Sequence, residues 1–185
     1  MTRDEWVAER SRDFASLRGR RVESWVGVEM ALRESVAGGG PQFHDPEVPC
    51  LQLWGLQAFL DDGGVLSVSI YQDDHMFGLW PRPRPEVRLQ DQGQWDGIYR
   101  WTALTELPTG QVEHVAAFVD EGVLAEVSLR IGGQPLLLVA GELEETPEGG
   151  LLFHRLDESV LVFTDTAAAA GAPWTTSRRG LVVCA

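Results

Sequence analysis

The side chains with which this chain could do chemistry are densest in one stretch, YQDDHMFGLWPRPRPEVRLQDQGQWDGIYRW, residues 71–101. At its start Asp73, Asp74 and His75 are the residue types that bind a divalent metal or share acid and base work. Consecutive residues on a strand point to opposite faces, so these three can converge only from a turn. Used together with a distant histidine they would make a small metal-dependent or acid/base hydrolase. As structure alone they would be the solvated tip of a hairpin.

Further along, Arg82 and Arg84 alternate with Pro81, Pro83 and Pro85. Proline holds such a segment extended, and two guanidinium groups can then face an anion or a partner protein. Trp80, Trp95, Tyr99 and Trp101 flank them, with Arg88 and Arg100 in between. Aromatic residues and arginine dominate binding hot spots and ligand pockets. Trp80, Arg82, Arg84, Arg88, Trp95, Tyr99, Arg100 and Trp101 are therefore the expected ligand-binding residues, presenting a pocket or face to a small anionic molecule or a protein partner. The competing structural role is that the arginines neutralise neighbouring acids and the tryptophans plug one end of a sheet.

Other chemistries lack their residues. His44, His114 and His154 are isolated, no His-x-x-x-His spacing places two ligands on one metal, and no Gly-x-Ser-x-Gly elbow occurs. Cys50 and Cys184 have neither zinc nor disulfide-framework spacing and read as ordinary thiols. All 15 basic residues are arginine, so there is no lysine for a Schiff base, a pyridoxal-phosphate anchor or a phosphate loop. No catalytic residue, metal or cofactor is assigned, and a non-enzymatic binding protein is expected. With 28 acids the formal charge is −13, which suits solubility or the steering of a basic partner and opposes nucleic acid. No apolar run approaches the ~18 residues that cross a bilayer. The charged start MTRDEWVAERSRDF differs from a signal peptide, and a cytoplasmic location with no membrane partner is expected.

The elements that must position these residues are mostly strands. Thr2 with Glu5 fits a capping box for a helix reaching about Leu17, with Trp6, Phe14 and Leu17 on one face and Gly19 as its stop. RRVESWVGVEMAL and CLQLWGLQAFL alternate as strands that should bury Trp25 and Trp54, with a break at Gly55 suited to a bulge. Between them RESVAGGGPQFHDPEVP reads as a long loop with a mobile tip. AFLDDGGVLSVSI (residues 58–70) and AFVDEGVLAEVSL (residues 117–129) resemble one another as strand, acidic turn and strand.

That likeness predicts one domain over residues 1–185, built from two similar β halves at roughly 17–104 and 107–165. Leu66, Val68 and Ile70 should face the core as Leu124, Val127 and Leu129 do. The later copy has one extra residue here, so a bulge near Ala125 is needed to keep Leu124 and Val127 both inward. Its turn, Asp120-Glu121-Gly122, suits a three-residue loop with a left-handed glycine. TDTAAAAG offers a short C-terminal helical turn, and the tail over 171–185 should be loose. The expected fold is mainly β (α+β), an antiparallel barrel or sandwich with an N-terminal helix.

Overall fold

In the computed structural model, which describes residues 2–84, 97–178 and 180–184, the chain folds as a mainly antiparallel β structure with one helix near each end. Helix α1 (Arg3–Ala15) starts with the anticipated capping box: the Thr2 side chain accepts from the Glu5 amide, and the Glu5 carboxylate accepts from the Thr2 amide. Phe14 and Leu17 then reach the core.

The strands are β1 (Arg21–Met30), β2 (Leu51–Leu60), β3 (Val65–Asp73), β4 (Met76–Arg84), β5 (Tyr99–Ala103), β6 (Gly110–Asp120), β7 (Val123–Ile131), β8 (Gln134–Glu145), β9 (Leu151–Phe163) and β10 (Val182–Cys184), with α2 (Thr166–Gly171) before the last. β1, β2, β9, β8, β7 and β6 form a ring of strands, closed where Arg21 and Val22 of β1 pair with Gln111 and Gly110 of β6. β3 and β4 extend from β2, and β5 from β1. The main core fills the space between, with Leu53, Leu56, Leu79, Leu124, Ile131 and Leu138 fully buried.

β2 changes partner on one edge. Leu51–Leu53 pair with Val162–Val160 of β9, while Leu56–Phe59 pair with Val68–Val65 of β3. On the other edge the register with β1 slips between Val28↔Gly55 and Glu29↔Leu53, leaving Trp54 as the extra residue. β9 is irregular too. Its register with β8 jumps from Ala140↔Val160 to Gly141↔Arg155, so residues 156–159 stand out of the ladder. Leu156 takes a left-handed φ of 56° there, and the Ser159 hydroxyl donates to the Gly141 carbonyl at 2.5 Å.

The bulge expected in β7 is present. Phe118 pairs with Glu126 and Val119 with Leu124, which leaves Ala125 unpaired. Leu124, Val127 and Leu129 join Leu66 and Val68 in the main core, with Ile70 packed against it. The turn differs from the expectation: Asp120 pairs directly with Val123, and Glu121 and Gly122 have φ of 50° and 76°. This is a two-residue turn with positive φ at both positions, whose twist matches that of the strands. The extra residue is absorbed by the bulge rather than by the loop.

One further expectation is corrected. The C-terminal segment is held rather than loose: Trp174 packs on Phe153 and Phe163, Arg178 forms a two-bond pair with Glu126, and β10 pairs with β6. In the long loop before β2, Arg33 ties the base by bonding Gln42, Asp45 and the Gly149 carbonyl, while Gly38–Gly40 at the tip are exposed. Among the described residues no helix is long and apolar enough to cross a membrane.

Deleting Ala125 removes the residue that keeps Leu124 and Val127 on one face, so one set of buried side chains must turn outward. The loss of stability in denaturant melts should be about 3 kcal/mol or more, and a loss below about 1 kcal/mol would show that the register does not depend on the bulge.

Candidate functional site

Trp54 is 43% exposed, against the expectation from strand alternation. Leu53 and Leu56 are both fully buried although three positions apart, and a strand can turn both inward only by extruding a residue between them. Trp54 therefore stands on the outer side of the wall, where β2 hands over from β9 to β3.

Three clefts meet at this indole. In the first, of about 120 Å³, Gly55, Ser67 and Ser69 are small enough to leave a trough, while Trp54, Arg82 and Arg84 rise around it. Register explains the grouping, since Gln57, Ser67 and Arg82 lie side by side across β2, β3 and β4. The second, of about 450 Å³, shares Trp54, Ser69 and Arg82 and adds Ile70, Phe77, Trp80 and Glu158. It lies where β3 has left β2 and the standing-out segment of β9 brings Glu158 across. The third, of about 360 Å³, shares Trp54 and Glu158 and adds Tyr99, Glu142, Glu144 and Glu145.

The two sides of Trp54 differ in charge. The Arg82 guanidinium lies 4.6 Å from the centre of the Trp80 ring, and its Nη2 reaches the Ser69 hydroxyl only at 3.4 Å. Its Nε is buried without an acceptor. Burial first, and then the neighbouring Arg84, push Arg82 below its ordinary value. Among the described residues neither arginine has a carboxylate partner. Elsewhere Arg20 pairs with Asp62, Arg33 with Asp45, Arg100 with Glu29 and Arg155 with Asp120. On the other side, burial, Asp157, Glu158 and Glu144 together raise Glu142 from 4.5 to about 7. Glu144 itself faces His154 at 2.9 Å.

Of the residues expected from sequence, Trp80, Arg82 and Arg84 come together in these clefts. Tyr99 lies at the acidic side with its ring 5.6 Å from that of Trp54. Arg100 is committed to Glu29 at 2.6 Å and covers Phe43, as in the structural role weighed against binding. Trp101, on β5, pairs in register with Val28 of β1, and its indole N–H is buried without an acceptor among the described residues. Arg88 and Trp95 lie outside the described residues. Trp54 was missed because alternation assigned it to the core; the odd Leu53 to Leu56 spacing was the available signal.

Asp74 and His75 approach to 3.6 Å, but Asp73 does not join them. Asp73 pairs with Arg3 at 2.5 Å, while Asp74, with φ of 55°, and His75 form an exposed turn. Among the described residues no three His, Cys, Asp or Glu side chains are grouped to hold a metal. Burial pushes the Cys50 thiol up to about 12, which favours the protonated form at neutral pH. No family model, curated protein or solved structure matches the chain.

Glu142 gives the site a pH signature. Its carboxyl titrates near 4.5 in the unfolded chain and near 7 in the folded one, so the folded protein binds the extra proton between those values. Stability from this group is full below about 4.5 and is lost as pH rises toward 7. Thermal melts of wild type and Glu142→Gln should therefore converge near pH 4.5 and separate toward pH 7, with the variant more stable. Parallel curves would show that Glu142 is not desolvated by its surroundings.

Proposed function

We propose that the protein is a non-enzymatic binding protein whose groove holds a small anionic ligand across Arg82 and Arg84. The observation that carries this reading is that two neighbouring guanidinium groups, Arg82 and Arg84, have no carboxylate partner among the described residues of a strongly acidic chain. Burying a cation is costly unless an anion or a set of acceptors replaces its water. Arg82 bears part of that cost, with one weak hydrogen bond, a stacked indole and a like-charged neighbour. A bound anion would offset the desolvation and relieve the repulsion at once. The aromatic walls add apolar area, and the rigid strand loses little entropy when it binds.

The polyanionic surface disfavours a nucleic-acid ligand, because 28 acids against 15 bases would repel a phosphodiester chain outside the groove.

The double variant Arg82→Ala/Arg84→Ala tests the reading. Calorimetric titration with small carboxylates should show binding to the wild type that falls by about tenfold to a hundredfold in the variant. Its stability should change by less than about 1 kcal/mol, since what it removes is one stacking contact, one long hydrogen bond to Ser69 and a repulsion between like charges. A variant that unfolds readily yet still binds would place the arginines in a structural role.

A further inference from the structure

We infer that the ligand is an aromatic monocarboxylate bound in one direction, with its acid group between Arg82 and Arg84, its ring against Trp54, and its far end uncharged or cationic beside Glu158. This rests on the anion-binding reading above and adds the ligand's shape and polarity. Three observations lead to it.

The first is size. The cleft at the arginine pair holds about 120 Å³, whereas the adjoining one, sharing Trp54, Ser69 and Arg82, holds about 450 Å³. A small head and a larger body match the two. The second is the character of the walls. The larger cleft is bounded by Trp54, Ile70, Phe77 and Trp80, and the Trp54 indole is held by an edge-on contact with Tyr99. Flat rings held in place favour another flat ring, through apolar area and offset stacking. Trp80 stacks on the Arg82 guanidinium, and the Nη2 of that group reaches toward Ser69, which lines both clefts. A planar carboxylate matches a guanidinium through paired hydrogen bonds.

The third is the field along the groove. Arg82 and Glu158 line the same cleft without forming an ion pair, so the cleft presents an unpaired charge of each sign to a ligand. Behind Glu158 the next cleft carries Glu34, Glu142, Glu144 and Glu145 against a single cation, Arg33, which lies 3.6 Å from Glu145. A second acid at the far end of the ligand would lie against these carboxylates, and selectivity of this kind comes from repulsion of the wrong partner as much as from attraction of the right one. A ligand with one negative end is accepted in only one orientation.

The test is calorimetric titration of acetate, phenylacetate and para-phenylenediacetate into wild type, Glu158→Gln and Arg82→Ala/Arg84→Ala. Phenylacetate should bind wild type about tenfold more tightly than acetate, because the ring is buried against indole. The dianion should bind about fivefold more weakly than phenylacetate, the scale of a like-charge contact in a partly solvated cleft. Glu158→Gln should bring the dianion to within about twofold of phenylacetate, both measured on that variant.

If the three acids bind wild type equally and all lose affinity in the arginine variant, anion binding stands and the oriented aromatic ligand is wrong. Failure of Glu158→Gln to recover the dianion also overturns the orientation. If none of the acids binds, or if binding survives loss of both arginines, the anion-binding reading falls, and this inference with it.

Discussion

A β-strand has two hydrogen-bonding edges, and β2 serves three neighbours with them. One edge pairs with β1; the other is divided between β9 at Leu51–Leu53 and β3 at Leu56–Phe59. Backbone N–H and C=O groups buried without partners are costly, so the division can occur only where the chain turns those groups elsewhere. It occurs at Trp54 and Gly55, where the register with β1 also slips. The ring of strands, the departure of β3 and β4 from it and the wedge between β3 and β9 all follow from this change of partner. Trp54 is exposed because the residue at such a point belongs to neither inward-facing series.

Much of the fold was legible because its signals are local. The capping box at Thr2 and Glu5, the glycine at the left-handed turn position 122 and the alanine run that becomes α2 each act within a few residues. The bulge at Ala125 was legible by comparison, since a second copy of the same pattern showed one residue too many. The same reasoning on β2 would have required treating Leu53 and Leu56 as jointly buried, and a single strand without its partner offers no reason to prefer that over simple alternation. The tail was misjudged for a different reason. Nothing near Trp174 or Arg178 in sequence announces Phe153, Phe163 or Glu126, which meet them only through the fold.

The site was half legible. Alternation of arginine with proline along β4 places Arg82 and Arg84 on one face, and that much follows from the two-residue period of a strand. Which arginines keep a carboxylate is a long-range matter. Arg100, equally prominent in the sequence, is neutralised by Glu29 across the β1–β5 pair, whereas Arg82 faces Ser67 and Ser69. The acidic side was invisible, because Glu158 reaches the groove only through the four residues by which β9 stands out from β8. Two irregularities, one in β2 and one in β9, thus build a groove that regular strands would have closed.

The most direct measurement is a crystal structure of the protein grown with phenylacetate. The account predicts that β2 changes partner from β9 to β3 at an outward-facing Trp54, with the carboxylate at the Arg82 and Arg84 guanidinium groups and the ring against the indole. A β2 ladder that continues unbroken with Trp54 packed in the core, or a ligand lying away from the arginine pair, would contradict it.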